Sequence, residues 1–218
     1  MPTGIKIFLA RDKDNRNIVN ASSVPRGNDC NCICIGCEQP LQARQGDHNR
    51  HHFSHITNTH CTPETALHKL AKEIFLRNNK LMLPDDKGWF HYTEVKEECF
   101  FGDQRPDIVV KGPAGTLHIE IAVTHFIDET KLAKIILARY NTLEIDLSGL
   151  DYHTGIEDLE KILIEETYEK DLVFWNNSPG FIPVTKQEYD WKDWAIFAGI
   201  IIGALWLLNC IGKWLRKK

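Results

Sequence analysis

At 218 residues the chain is long enough for one medium domain plus an accessory unit, with a full core. Its formal net charge of −4 gives no global basic signal, so any nucleic-acid contact has to be a local patch. Four of the seven cysteines fall between Cys30 and Cys37, behind a start (Met1 to Ala10) that reads as a short strand rather than an export signal. Such crowding points to metal rather than disulfides.

Ile5 to Leu9 and Ile18 to Ala21 are predicted small strands around the polar turn Arg11 to Arg16. Cys34-x2-Cys37 has knuckle spacing, with Gly36 allowing the turn that aims both sulfurs at one ion. Two imidazoles from His51-His52-Phe53-Ser54-His55 would complete a tetrahedral Cys₂His₂ site, and the sulfur pair favours Zn²⁺ over Mg²⁺ or Ca²⁺. His51 and His55 have helical spacing, whereas His52 and His55 flank Phe53-Ser54; His60 and Cys61 are substitutes. Cys30 and Cys32 are spare thiols or a second, weaker contact.

Thr62-Pro63-Glu64 has the hydroxyl cap, first-turn proline and first-turn acid of a helix start. The helix is expected to run to about Arg77, with Leu67, Leu70, Ala71, Ile74 and Phe75 as its apolar stripe. Glu64, His68 and Lys72, at i, i+4 and i+8, stack along a neighbouring face. Trp89 to Phe101 is expected to supply the first strand of a sheet.

Arg105 to Val110 and His118 to His125 follow as a hairpin around the turn Lys111 to Thr116. Ile119, Ile121 and Val123 alternate with His118, Glu120, Ala122 and Thr124, the period-two pattern of a strand with one buried face. The hairpin would bring Asp107 and Glu120 together, and two close carboxylates repel unless a cation intervenes. Mg²⁺ is the natural occupant. His118 shares that face, whereas His125 is expected to pack or cap the next loop.

Asp128 caps a predicted helix whose Leu132, Ile135 and Ile136 face inward and which Lys131, Lys134 and Arg139 decorate; Lys131 and Lys134 are surface charges or phosphate contacts at the mouth of the site. The strand Leu143 to Leu147 completes the order helix, three strands, helix, strand, which implies a mixed sheet flanked by helices. Ile156 to Tyr168 is an amphipathic, acid-rich helix. Beyond a linker, Trp194 to Ile211 is apolar apart from Asn209 and flanked by tryptophans, the pattern of a single membrane span with a basic tail. Ala195, Gly199 and Gly203 line one face and would let two copies pack into a homo-oligomer.

The pair Pro106-Asp107 and Glu120-Ile121 resembles the PD-(D/E)xK nuclease superfamily, with Ala122 where that motif has its lysine. The wider set resembles the CoiA-like competence family. It comprises Cys34, Cys37, His52 and His55 in the cysteine and His-Phe-x-His pattern, Glu64, His68 and Lys72 as Glu-x3-His-x3-Lys, Arg105-Pro106-Asp107, Glu120, and Glu144 to Ser148. The resemblance favours His52 with His55 as the zinc imidazoles. It implies that Asp107, Glu120 and the Ile121 carbonyl hold Mg²⁺ or Mn²⁺. Lys72 would then stand in for the lysine missing at Ala122, with Glu64 and His68 as metal, water or phosphate contacts.

The expected fold class is therefore α/β: a zinc ribbon-like segment (1–61), a restriction-endonuclease-like core (62–170), a linker (171–193), a transmembrane helix (194–212) and a basic tail (213–218). The expected function is a membrane-tethered, metal-dependent nuclease hydrolysing DNA in uptake, recombination or defence against foreign DNA. Its catalytic domain would lie on the cytoplasmic side of the inner membrane. The alternative is a catalytically inactive nuclease-fold DNA-binding or scaffold protein.

Overall fold

The structure is a computed structural model and describes residues 6–176 apart from 58, 59, 98, 101, 103 and 152. Five short strands open the chain: β1 (Leu9–Asp12), β2 (Ile18–Asn20), β3 (Gly27–Ile33), β4 (Pro40–Arg44) and β5 (His52–His55). They form one antiparallel sheet in the order β2-β1-β3-β4-β5, and Ile7 adds an isolated bridge to Phe53. The first strand thus starts at Leu9, four residues later than its apolar run suggests.

Helix α1 (Pro63–Arg77) forms where its signals lie. The Thr62 hydroxyl accepts the Thr65 amide at 3.2 Å, Pro63 fills a position with no amide to lose, and the Asn78 side chain donates to the Ile74 carbonyl at 3.0 Å. Its stripe of Leu67, Leu70, Ala71, Ile74 and Phe75 is buried, with Leu67 and Leu70 meeting Phe8, Leu9 and Ile35 of the first sheet's surroundings.

Next comes a separate hairpin of β6 (Lys80–Leu83) and β7 (Gly88–His91), then β8 (Glu94–Glu97). The single strand expected over Trp89 to Phe101 is thus two, broken at Tyr92 and Thr93. The remaining elements are β9 (Ile108–Gly112), β10 (Gly115–Ala122), α2 (Glu129–Ala138), β11 (Thr142–Asp146), α3 (Ile156–Ile164) and β12 (Lys170–Phe174). The second sheet has the order β12-β11-β10-β9-β8, parallel only between β10 and β11, the pair that α2 joins. Gly112 ends β9 against the His91 backbone so closely that a side chain there would collide with it.

Both sheets and the inner face of α1 share one buried cluster that runs from Ile7 to Ile164. Two expected faces differ. In α2 only Ile135 is buried, while Ile136 is exposed and Leu137 is 83 % exposed. The acid-rich helix stops at Ile164, and β12 takes up residues expected to begin the linker.

The expected fold class is corrected on these grounds. The described residues are α/β, with two five-stranded sheets, a two-stranded hairpin and three helices, and their N-terminal part is a full sheet rather than a two-strand ribbon. No helix among them is long and apolar enough to cross a membrane. The expected transmembrane helix, with Ala195, Gly199 and Gly203, lies outside the described residues.

One buried charge gives the fold a pH signature. Lys170 is 7 % exposed and donates from Nζ to the Met82 carbonyl at 3.0 Å. Burial, opposed by the nearby Glu166, pulls its amine down from 10.5 to about 8. Between those values the unfolded chain binds the extra proton, so stability rises with pH across that window and levels off on either side. Denaturant unfolding from pH 7.5 to 10.5 should reveal this rise, and Lys170→Met should flatten it.

Candidate functional site

Two clusters of polar side chains lie along α1. The first involves Cys34 and Cys37 in the turn between β3 and β4, His55 at the end of β5, and Cys61 just before the helix cap. Their donor atoms all lie within 4.8 Å of one another. Cys34 Sγ is 3.6 Å from Cys61 Sγ, and Cys37 Sγ is 3.2 Å from His55 Nε2. A tetrahedral zinc site has edges of roughly 3.8 Å between two sulfurs and roughly 3.6 Å between sulfur and nitrogen. Donor type and spacing therefore fit a single structural zinc, which three sulfurs favour over a hard cation.

The electrostatics agree with that chemistry. Burial, then the neighbouring thiols, pushes Cys61 up to about 12, so three thiolates would not gather here without a cation. Burial lowers the His55 pKa, which favours the neutral imidazole that a metal requires. Gly36 is needed at the knuckle because a Cβ there would lie 2.8 Å from Cys61 Sγ.

The expected fourth ligand, His52, is not part of the cluster. Side chains alternate along a strand, so His52 and His55, three apart in β5, face opposite ways. His52 Nδ1 instead lies 2.9 Å from the Arg50 carbonyl. Cys61, one of the substitutes, takes the place. Cys30 and Cys32 are buried thiols bonded to the Leu41 and Cys30 carbonyls, and neither belongs to the cluster.

The second cluster joins α1 to the β9–β10 hairpin. The β9–β10 register puts Ile108 opposite Ile119, so Asp107 enters the sheet beside Glu120. The Asp107 carboxylate accepts the Ile121 amide at 2.9 Å, so this acid binds the backbone of the strand that carries Glu120. Two basic side chains complete the arrangement. His68 Nδ1 is 3.3 Å from Asp107 Oδ1, and Lys131 Nζ, from the first turn of α2, is 2.8 Å from Glu120 Oε1.

Their titrations diverge accordingly. Burial opposes ionisation of Asp107, but the His68 contact and the Ile121 amide outweigh it and leave its pKa below the ordinary value. For Glu120, burial prevails over Lys131, and the nearby Asp107 charge adds to it, so its pKa is raised. The pKa of His68 is raised although burial opposes this, because Asp107 and Glu64 stabilise its charged form.

Glu64 extends the cluster outward: Thr124 Oγ1 donates to Glu64 Oε2 at 2.6 Å, and His125 Nδ1 lies 3.6 Å from Glu64 Oε1. Lys72 is buried, and its charge bears on both His68 and Asp107. A cleft of about 530 Å³ runs past these groups, from Gly36 and Thr62 through Glu64, His68 and Lys72 to Glu97 and Asp107.

Glu64, His68, Lys72, Asp107 and Glu120 therefore meet in one region, with Ile121 contributing its amide. His118 lies elsewhere in character. It is 3 % exposed with its ring 4.7 Å from that of Tyr140, and burial lowers it to about 4, so it is a neutral core group. His125, expected to pack or cap, is exposed beside Thr124 and Glu64. Lys131, read from the sequence as a surface charge or phosphate contact, was not expected to pair with Glu120.

Residues 19–64 match the family model described as Competence protein CoiA, N-terminal domain. That stretch covers all but the first residue of β2 to β5 and all four residues of the thiol–imidazole cluster, and it supports the resemblance to the CoiA-like family. No curated protein matches the chain, and no solved structure does.

Elemental analysis of the purified chain should find one zinc per molecule. Cys61→Ser should lower that occupancy to well under half, whereas His52→Ala should leave it unchanged. Equal loss in the two variants would restore His52 as a ligand.

Proposed function

We propose that the chain is a divalent-metal-dependent nuclease acting on DNA, in a competence-related role. One observation carries this reading: Asp107, bonded to the Ile121 amide, and Glu120 sit side by side across the β9–β10 register at the edge of a cleft lined by Glu64, His68 and Lys72. The match of residues 19–64 to the CoiA N-terminal domain supports the competence connection.

The residues fit an oxygen-seeking cation such as Mg²⁺ or Mn²⁺. Burial raises the Glu120 pKa and the adjacent Asp107 carboxylate adds to it, while His68 and Lys131 balance the pair. Asp107, Glu120 and the Ile121 carbonyl would hold the ion. Bound there, it would supply Lewis-acid stabilisation of the charge developing on a phosphate.

Hydrolysis joins a water oxygen to phosphorus and breaks the bond to one sugar oxygen. Water loses a proton and the leaving oxygen gains one. The chain's own groups bind and orient for this step. Lys72 and Lys69 line the DNA-facing cleft with positive charge, and exposed Arg105, over the Phe100 ring at 5.7 Å, adds more two residues from Asp107. His68, tied to Asp107 through Nδ1, has its Nε2 buried 3.9 Å from Glu64 Oε1, so it links the two acids on either side of it. Glu64 is held by Thr124 at the outer rim and orients solvent.

The test is cleavage of plasmid and single-stranded DNA by the full chain with Mg²⁺ or Mn²⁺. Asp107→Ala should slow cleavage by about 100-fold or more, equivalent to the several kcal/mol a metal ligand supplies in the transition state. Binding of DNA without cleavage under any of these conditions would instead support an inactive DNA-binding protein.

A further inference from the structure

The nuclease reading leaves one chemical gap: Ala122 stands on the Glu120 face of β10 and carries no amine. It is 2 % exposed, and its methyl group cannot touch a water or a phosphate oxygen. The question is which cation of this chain reaches the position that a lysine at 122 would serve.

The α2 helix brings one from the other direction. Lys131 Nζ contacts Glu120 Oε1 at 2.8 Å, while about a third of its side chain stays accessible, so the same group faces both the buried acid and solvent. Its placement is fixed by two bonds. Asp128 Oδ1 accepts the Lys131 amide at 2.7 Å and locks the first turn of α2. One residue earlier, the Ile127 amide donates to Glu144 Oε1 at 2.6 Å. Glu144 lies directly beside Glu120 in the β10–β11 register, so the loop that carries Lys131 is tied to the strand next to its target.

The two candidate lysines therefore sort onto two acids. The Lys72 charge bears on Asp107 and His68, from α1; Lys131 contacts Glu120, from α2.

Resting on the nuclease reading above, we propose that Lys131 is the lysine of this site, orienting the attacking water and contacting the phosphate in place of a lysine at position 122. An ammonium group donates hydrogen bonds, so it holds the water oxygen toward phosphorus and offsets the negative charge that builds on the non-bridging oxygens. The water proton passes to solvent and the leaving sugar oxygen takes one from solvent.

A plainer role for Lys131 is to neutralise Glu120, and binding separates the two. Mn²⁺ titration of the full chain without DNA, read by calorimetry, should give Lys131→Met an affinity equal to or tighter than wild type, because the cation competing for Glu120 is gone. Cleavage by the same variant should fall by about 100-fold, within the range for loss of one positioned donor to developing charge. Zinc content and melting temperature should stay at wild-type values. Adding Ala122→Lys to Lys131→Met should recover cleavage by at least about tenfold; if that double variant fails to fold, the split between Mn²⁺ binding and cleavage in the single variant decides alone.

Wild-type cleavage by Lys131→Met, or loss of cleavage in Lys72→Met with none in Lys131→Met, would overturn the proposal and leave the nuclease reading standing. A wild-type chain that cleaves no DNA would bring down that reading, and this proposal with it.

Discussion

Helix α1 is held at three heights, and what it presents depends on all three. At its N-terminus Cys61 belongs to the thiol–imidazole cluster, so the residue before the Thr62 cap is bound to the β3–β4 turn and the end of β5. Midway, Arg11 of β1 forks onto both oxygens of Glu73 at 2.8 and 2.6 Å. At its end, Arg77 and Asn78 share Glu160 of α3. Exposed ion pairs contribute little individually, but the bidentate Arg11–Glu73 contact is half-buried and fixes direction as well as distance. With its apolar stripe fixed in the core, the helix has one orientation left, and that orientation turns Glu64, His68 and Lys72 toward the β9–β10 hairpin.

The acid site follows from that orientation and from charge balance. A buried carboxylate is costly unless paired, and two neighbours are costlier. Asp107 and Glu120 are tolerated because Asp107 has the Ile121 amide and His68 of α1, and Glu120 has Lys131 of α2. The compensation is unequal. Asp107 is held ionised, whereas Glu120, the more deeply buried, is held closer to protonation.

Much of this was legible in the sequence wherever the cause is local. Thr62-Pro63-Glu64 specified the α1 start because capping is decided within four residues. The alternation from His118 to Thr124 specified β10 as a strand, but not its burial: both faces are buried from Leu117 to Val123, because the sheet is covered on the side expected to be open. The closeness of Asp107 and Glu120 followed from a short turn between adjacent strands. By contrast, choosing His52 over Cys61 required knowing that residues 52–55 form a strand, in which a three-residue step reverses the side chain. The Trp89 to Phe101 stretch read as one strand because nothing local marks the change of sheet at Tyr92. Lys131 was invisible as a partner of Glu120, since that contact depends on how far the loop after β10 returns over the sheet.

The same division explains why the detectable likeness is confined to residues 19–64. A metal knuckle constrains identity at fixed spacing: thiols must be thiols, and Gly36 must lack a side chain because Cys61 Sγ occupies that space. The acid site constrains charge at a point in space, which several chain positions can satisfy. A lysine at 122, at 72 or at 131 differs in sequence, yet each can deliver an amine to the β9–β10 edge. Selection on geometry therefore leaves a strong local pattern in the thiol–imidazole half and a diffuse one in the acid half. The cluster at Cys61 connects the two, because the residues it holds set the start of the helix whose later turns carry His68 and Lys72.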